Sequence, residues 1–134
     1  MPANTSPIFA LSPELSFATV TGATTDRTGA TMANTVTLLT AATNGTKITQ
    51  IGAKVAGTNA ATLVLIFVSD SSGANFKLFD EIGLTAATPS TTATSQRAVN
   101  SYADLQLKAG QVVKVGTTVA ITAGVNIFAV KGDY

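Results

Sequence analysis

The chain has 134 residues, of which 46% are hydrophobic and only 11% charged, with a formal net charge of +1. Such a length suits a single domain able to bury a core. The near-neutral balance, with Lys and Arg spread singly along the chain, argues against recruitment by nucleic acid. The absence of Cys and His removes disulfide frameworks, thiolate nucleophiles, Cys/His zinc sites and any serine activated by an imidazole.

In chain order, residues 1–32 read as an extended N-terminal arm and a first edge strand. Pro2, Pro7 and Pro13 each disfavour helix at the residue before them. The start lacks the basic and long apolar regions of a secretory signal. Ile8-Phe9-Ala10-Leu11 is an apolar knot that suits an arm docking onto another surface. Leu15 to Val20 alternates, placing Leu15, Phe17 and Thr19 on one face of an edge strand. Ile8, Phe9, Leu11, Leu15 and Phe17 are therefore the candidate interaction residues. Thr21 to Thr31 is expected to be a loop.

Residues 33–134 read as a β-sandwich domain. ANTVTLLT is a strand, and Asn44-Gly45 after it is a hairpin signal. KITQIGAKVAG follows as a strand whose apolar parity switches, which predicts a bulge near Gln50. ATLVLIFVS is apolar on both faces and must be covered on both: one face meets the core, and the other is expected to meet the arm or a neighbouring subunit. DSSGAN is a turn. FKLFDEIGL continues as a strand, with Phe76, Leu78 and Asp80 on one side and Lys77, Phe79 and Glu81 on the other. TAATPSTTATSQRA is a long polar connection. DLQLKAGQVVKVGTT reads as strand, turn at Ala109-Gly110, and strand. VNIFAVKGDY closes the chain. Helical periodicity is weak throughout, and Thr, Val and Ile favour the pleated surface. About eight short strands with regular turn signals predict an all-β fold: an antiparallel, jelly-roll-like β-sandwich. The longest clear apolar run, Leu63 to Val68, is too short to span a bilayer as a helix.

Chemistry is sparse. Asp70, Ser71, Ser72, Gly73 and Asn75 offer oxygens, but their spacing does not fit a calcium loop. The expected role is a turn in which Asp70 and Asn75 bond their own backbone and Gly73 takes positive φ. Asp80 and Glu81 are neighbours on a strand and point apart, so they cannot share one reacting bond. A carboxylate pair would have to come from distant segments, such as Asp26, Asp104 or Asp133. There is no glycine-rich phosphate loop. No catalytic residue, metal ligand or cofactor site is assigned, and the chain is not expected to be an enzyme.

TTDRTGAT, then TVTLLTAATNGTKITQIGAKVAGTNAATLVLIFVSDSSGANFKLFDEIGLTAATPS, then LQLKAGQVVKV and NIFAVKGDY, resembles small virion proteins of tailed bacteriophages. These are the capsid decoration (cement) and head-fibre proteins, β-sandwiches that sit on or between major capsid subunits. The resemblance covers about residues 20–134 and carries over no site residue. It implies a structural role on the capsid exterior of the virion after synthesis in the host cytoplasm. The partners it implies are the major capsid protein and copies of the chain itself as a homotrimer, with no nucleic acid and no membrane. The alternative is a glycan- or host-surface-binding module of a head fibre or tail, which would place Tyr102, Asn100 or Asp104 at the lip of a shallow groove.

Overall fold

The computed structural model describes residues 12–134. Eight strands run β1 (Ser12–Val20), β2 (Val36–Thr40), β3 (Thr46–Val55), β4 (Thr62–Val68), β5 (Lys77–Leu84), β6 (Arg97–Leu107), β7 (Val112–Thr117) and β8 (Val125–Asp133). They form two four-stranded sheets: sheet A in the order β1-β8-β3-β6, and sheet B in the order β2-β7-β4-β5. Every pairing between these eight strands is antiparallel. This is the winding of a jelly roll. Among the described residues, no helix is long and apolar enough to cross a membrane.

The winding explains why turn signals and strand pairing part company. Only β4 and β5 are both consecutive in the chain and neighbours in a sheet. The Asn44-Gly45 turn forms as its composition demands, with Gly45 at φ 95° and its N–H donating to Ala42 O at 2.9 Å. It makes no hairpin, because β2 pairs with β7 while β3 pairs with β6 and β8. The turn carries the chain from one sheet to the other, as does the one around Gly110 at φ 88°. A turn sequence specifies local dihedrals; which sheet the next strand joins is decided by the apolar faces that must meet.

Those faces alternate along each strand. Val20, Ile51, Ala53, Val55, Ile127 and Ala129 point inward from sheet A, and Val64, Ile66, Ile82, Val113 and Val115 from sheet B. Three bulges interrupt the alternation. The register shifts between Ile48 and Gln50, where the sequence parity switches. A shift between Thr37 and Leu39 lets both Leu38 and Leu39 be buried. A third, opposite Ile66/Phe67, overturns the simple alternation expected for β5: Phe79 joins Asp80 in facing β6, its ring 5.6 Å from that of Tyr102. Strand β6 also begins before DLQL, at Arg97. It is an edge strand with many half-buried and exposed positions, so it lacks the apolar density that marks β4.

Strand β4 is apolar on both sides, and its central residues Val64 to Phe67 are buried on both. Leu65 and Phe67 point away from the core cluster, yet neither is exposed. The cover is the β1–β2 connection, not a neighbouring subunit. Leu65 lies opposite Gly116 and Glu81 on the outer face of sheet B. A Cβ on Gly116 would meet Thr24 Oγ1 at 2.8 Å and Thr35 Cγ2 at 3.3 Å, so the absent side chain lets the connection lie close to the sheet. Arg27 pairs with Glu81, and Thr24 N–H donates to Thr117 O at 2.7 Å. Within the connection, Asp26 accepts from the Thr28 and Thr31 amides at 2.8 and 2.7 Å, and Asn34 donates to Ala23 O at 2.9 Å. Its many small polar residues act as ties over an apolar strand.

Candidate interaction surface

The outer face of sheet A has no comparable cover among the described residues. Its register sets side chains in rows across the strands. Leu15 lies opposite Val130, and Val130 opposite Gln50; one row along, Phe17 lies opposite Phe128, Phe128 opposite Gly52, and Gly52 opposite Val99. These rows make a stripe across all four strands, with Phe17 61%, Leu15 49% and Val130 37% exposed. The Phe17 and Phe128 rings are tilted at 55° with centroids 6.4 Å apart, a favourable aromatic geometry. Gly52 makes the stripe continuous. A Cβ there would collide with the end of the Phe128 ring and approach Val99 Cγ2 at 2.8 Å, so glycine lets the ring lie across β3.

A polar row borders the stripe on one side. Thr19 donates to Asn126 at 2.7 Å, Lys54 Nζ donates to Ser95 O at 3.0 Å, and the Arg97 guanidinium stands 5.7 Å from the centre of the Phe128 ring. An apolar centre with a polar rim is the arrangement of a protein–protein contact. It can bury side chains against another apolar surface, and it offers no general acid, base or nucleophile. Leu15 and Phe17 thus sit where the period-two pattern places them. Ile8, Phe9 and Leu11 lie outside the described residues. Sequence reasoning missed Phe128, Val130, Val99 and Gly52. Their signal was the alternation in NIFAVK, which marks a strand without saying which side faces the core.

The remaining polar clusters are tied into the fold. The Asp70 turn forms, with Gly73 at φ 80° and the Asp70 carboxylate accepting from Ser72 N at 2.9 Å, Ser72 Oγ at 2.6 Å and Ala74 N at 3.1 Å; the Asn75 side chain departs from the expectation, donating to the Asp70 carboxylate at 2.7 Å and not to backbone. The Ser72 hydroxyl and the other donors pull its pKa down to about 2. At the β5/β6 edge, Tyr102 Oη and Asn100 Nδ2 both donate to Asp80 Oδ2, at 2.7 and 2.9 Å. Burial pushes the Asp80 pKa up, but these donors and the Glu81 amide outweigh it and leave it below the usual aspartate value. Burial, and then the Asp80 carboxylate, raise the Tyr102 phenol. Tyr102 and Asn100 are both engaged by Asp80; Asp104 is exposed on β6. Asp80 and Glu81 do point apart, Glu81 to Arg27.

One pair of carboxylates does meet. Glu14 and Asp133 each approach the buried Lys131 ammonium at 3.1 Å. Burial alone would lower the Lys131 pKa, but the two acids reverse this and raise it. Asp133 is held below the usual value first by the Thr46 hydroxyl, a 2.7 Å donor, and then by Lys131. The ammonium between these acids serves as their counter-charge. Among the described residues, no group of three or more His, Cys, Asp or Glu side chains could hold a metal ion.

No known protein-family model matches the chain, and no curated protein matches it in sequence.

Proposed function

We propose that the chain is a structural protein of a bacteriophage particle that decorates the capsid through protein–protein contacts, with the major capsid protein and copies of itself as partners. The observation that carries the contact part is the Leu15–Phe17–Phe128–Val130 stripe on sheet A, which we assign to a neighbouring copy of the chain. Self-contacts are the most apolar class of interface, and low charge removes the repulsion that keeps copies apart. The capsid part rests on the resemblance of the sequence to decoration and head-fibre proteins. A contact of standard size buries about 800 Å² per partner, and several contacts around a closed shell add avidity to each.

The test is saturable binding of the purified protein to phage capsids that lack their decoration protein, followed by co-sedimentation and cryo-electron microscopy. The expected result is symmetric, stoichiometric occupancy that the Leu15→Ser/Phe17→Ser double variant loses. A protein that ignores such capsids, while keeping its fold, ends the decoration reading.

A further inference from the structure

We propose that the cleft between the Asn44-Gly45 turn, the end of β6 and Tyr134 binds a neutral sugar ring. This site lies away from the sheet A stripe and does not depend on the assembly reading. Thr43–Gly45, Gln106–Ala109 and Tyr134 enclose about 710 Å³, within the range of about 300–1,000 Å³ of small-ligand sites. The backbone builds it. Tyr134 N–H donates to Gly45 O at 3.1 Å, which anchors the backbone that carries the ring. A Cβ on Gly45 would lie 3.7 Å from Tyr134 Cδ2 and 3.0 Å from Leu107 O, so any side chain there would enter the space beside the ring.

The lining selects the ligand. Tyr134 gives a flat apolar face with a polar tip, and Leu107 and Ala109 extend the apolar wall. Asn44 and Gln106 bring carboxamides, each able to donate and to accept. Among the described residues these two side chains, the Tyr134 hydroxyl and the Lys108 ammonium make no hydrogen bond; Lys108 is engaged through its backbone N–H, donating to Gln111 Oε1 at 2.8 Å. No Asp or Glu side chain lines the cleft, so it holds no carboxylate side chain to ligate a cation. One lysine without a run of converging backbone amides is a poor phosphate cradle. A pyranose fits what remains. Its apolar C–H face can lie on the ring, and its hydroxyls, which donate and accept, match the carboxamides.

The experiment is a ¹H–¹⁵N NMR titration of the full chain with methyl glycosides of glucose, galactose and mannose and with N-acetylglucosamine. One stacked ring in an open cleft supports a Kd on the order of 1–10 mM. The expected result is saturable shifts confined to Thr43–Gly45, Gln106–Ala109 and Tyr134 for at least one neutral sugar. Tyr134→Ala should weaken binding about tenfold or more, while Tyr134→Phe, which keeps the ring, should change it by about threefold or less. Leu15→Ser/Phe17→Ser should bind as the parent does, and thermal melts verify that each variant is folded. No saturable shift up to about 100 mM, shifts elsewhere on the protein, or unchanged affinity in a folded Tyr134→Ala variant would each overturn the proposal.

Discussion

Phe67→Ala tests the claim that sheet B is closed on its outer side by the β1–β2 connection while sheet A has no such cover among the described residues. Phe67 points away from the main core, yet it is fully buried. Truncating a fully enclosed phenylalanine costs about 3–5 kcal/mol, as lost transfer energy plus the cavity left behind. The cost belongs at the upper end only if the roof cannot sink into the hole. Asp26 stiffens that roof locally, but it is a loop, tied to sheet B by the Thr24–Thr117 backbone bond and the partly exposed Arg27–Glu81 pair, so partial collapse is expected and about 3 kcal/mol is the working figure. With a urea m-value of about 1–3 kcal/mol/M for a domain of this size, the unfolding midpoint should fall by about 1–3 M. Phe17→Ala is the internal control: its ring is 61% exposed, and the cost should stay within about 1 kcal/mol, the loss of its contact with Phe128 included. Equilibrium urea unfolding followed by tyrosine fluorescence and circular dichroism measures both, at concentrations where the oligomeric state is constant. Equal effects of the two substitutions, or a Phe67→Ala cost under about 1 kcal/mol, would refute the asymmetry between the sheets.

Three further outcomes follow from the same geometry. Asp80→Ala leaves Tyr102 and Asn100 without their shared acceptor and should cost about 1–3 kcal/mol, moderated because water reaches the site; Tyr102→Phe, which removes one donor and strands nothing, should cost less, and chemical denaturation gives both. Gly52→Val would drive a side chain into Phe128, Val99 and Ala98 O and should cost about 1–3 kcal/mol by overpacking, measurable as a lowered melting temperature. Stability against pH should be flat between about pH 5 and about pH 9 and fall on both sides. Asp26, Asp70, Asp80 and Asp133 all have depressed folded values, so their contribution is present above the unfolded pKa and drains away as pH falls toward about 2, the Asp70 value. Lys131 and Tyr102 are raised, so theirs is complete below the unfolded pKa and lost as pH climbs beyond it; a melting temperature that rises on acidification below pH 4 or on alkalinisation above pH 10 would contradict this.

Much of the fold was legible because its signals are local. Strand β4 announces itself by six consecutive apolar side chains, Leu63 to Val68, and the parity switch in KITQIGAKV locates the β3 bulge. The Asp70 turn is written in the residues that close it. What could not be read is long-range. Asn44-Gly45 reports a turn, but its role as a crossover between sheets depends on β7, nearly seventy residues on. The roof over Leu65 and Phe67 is mostly Thr, Ala and Gly, with Asp26 and Arg27 among them, and these carry no mark of what they cover. Half of the candidate surface was visible, in Leu15 and Phe17. Its other half, Phe128 and Val130, became a surface only once β8 was paired beside β1. Gly52 looks like an ordinary strand glycine until the Phe128 ring is seen lying across it.

The central claim is that the open face of sheet A exists to be covered by another copy of this protein. Sedimentation velocity on the full chain, compared across a wide concentration range with its Leu15→Ser/Phe17→Ser variant, tests it most directly. A discrete oligomer is expected, a trimer as the resemblance to decoration proteins implies, that the variant dissociates to folded monomer with an unchanged circular dichroism spectrum. A parent protein that remains monomeric throughout, or a variant that assembles as the parent does, would contradict it.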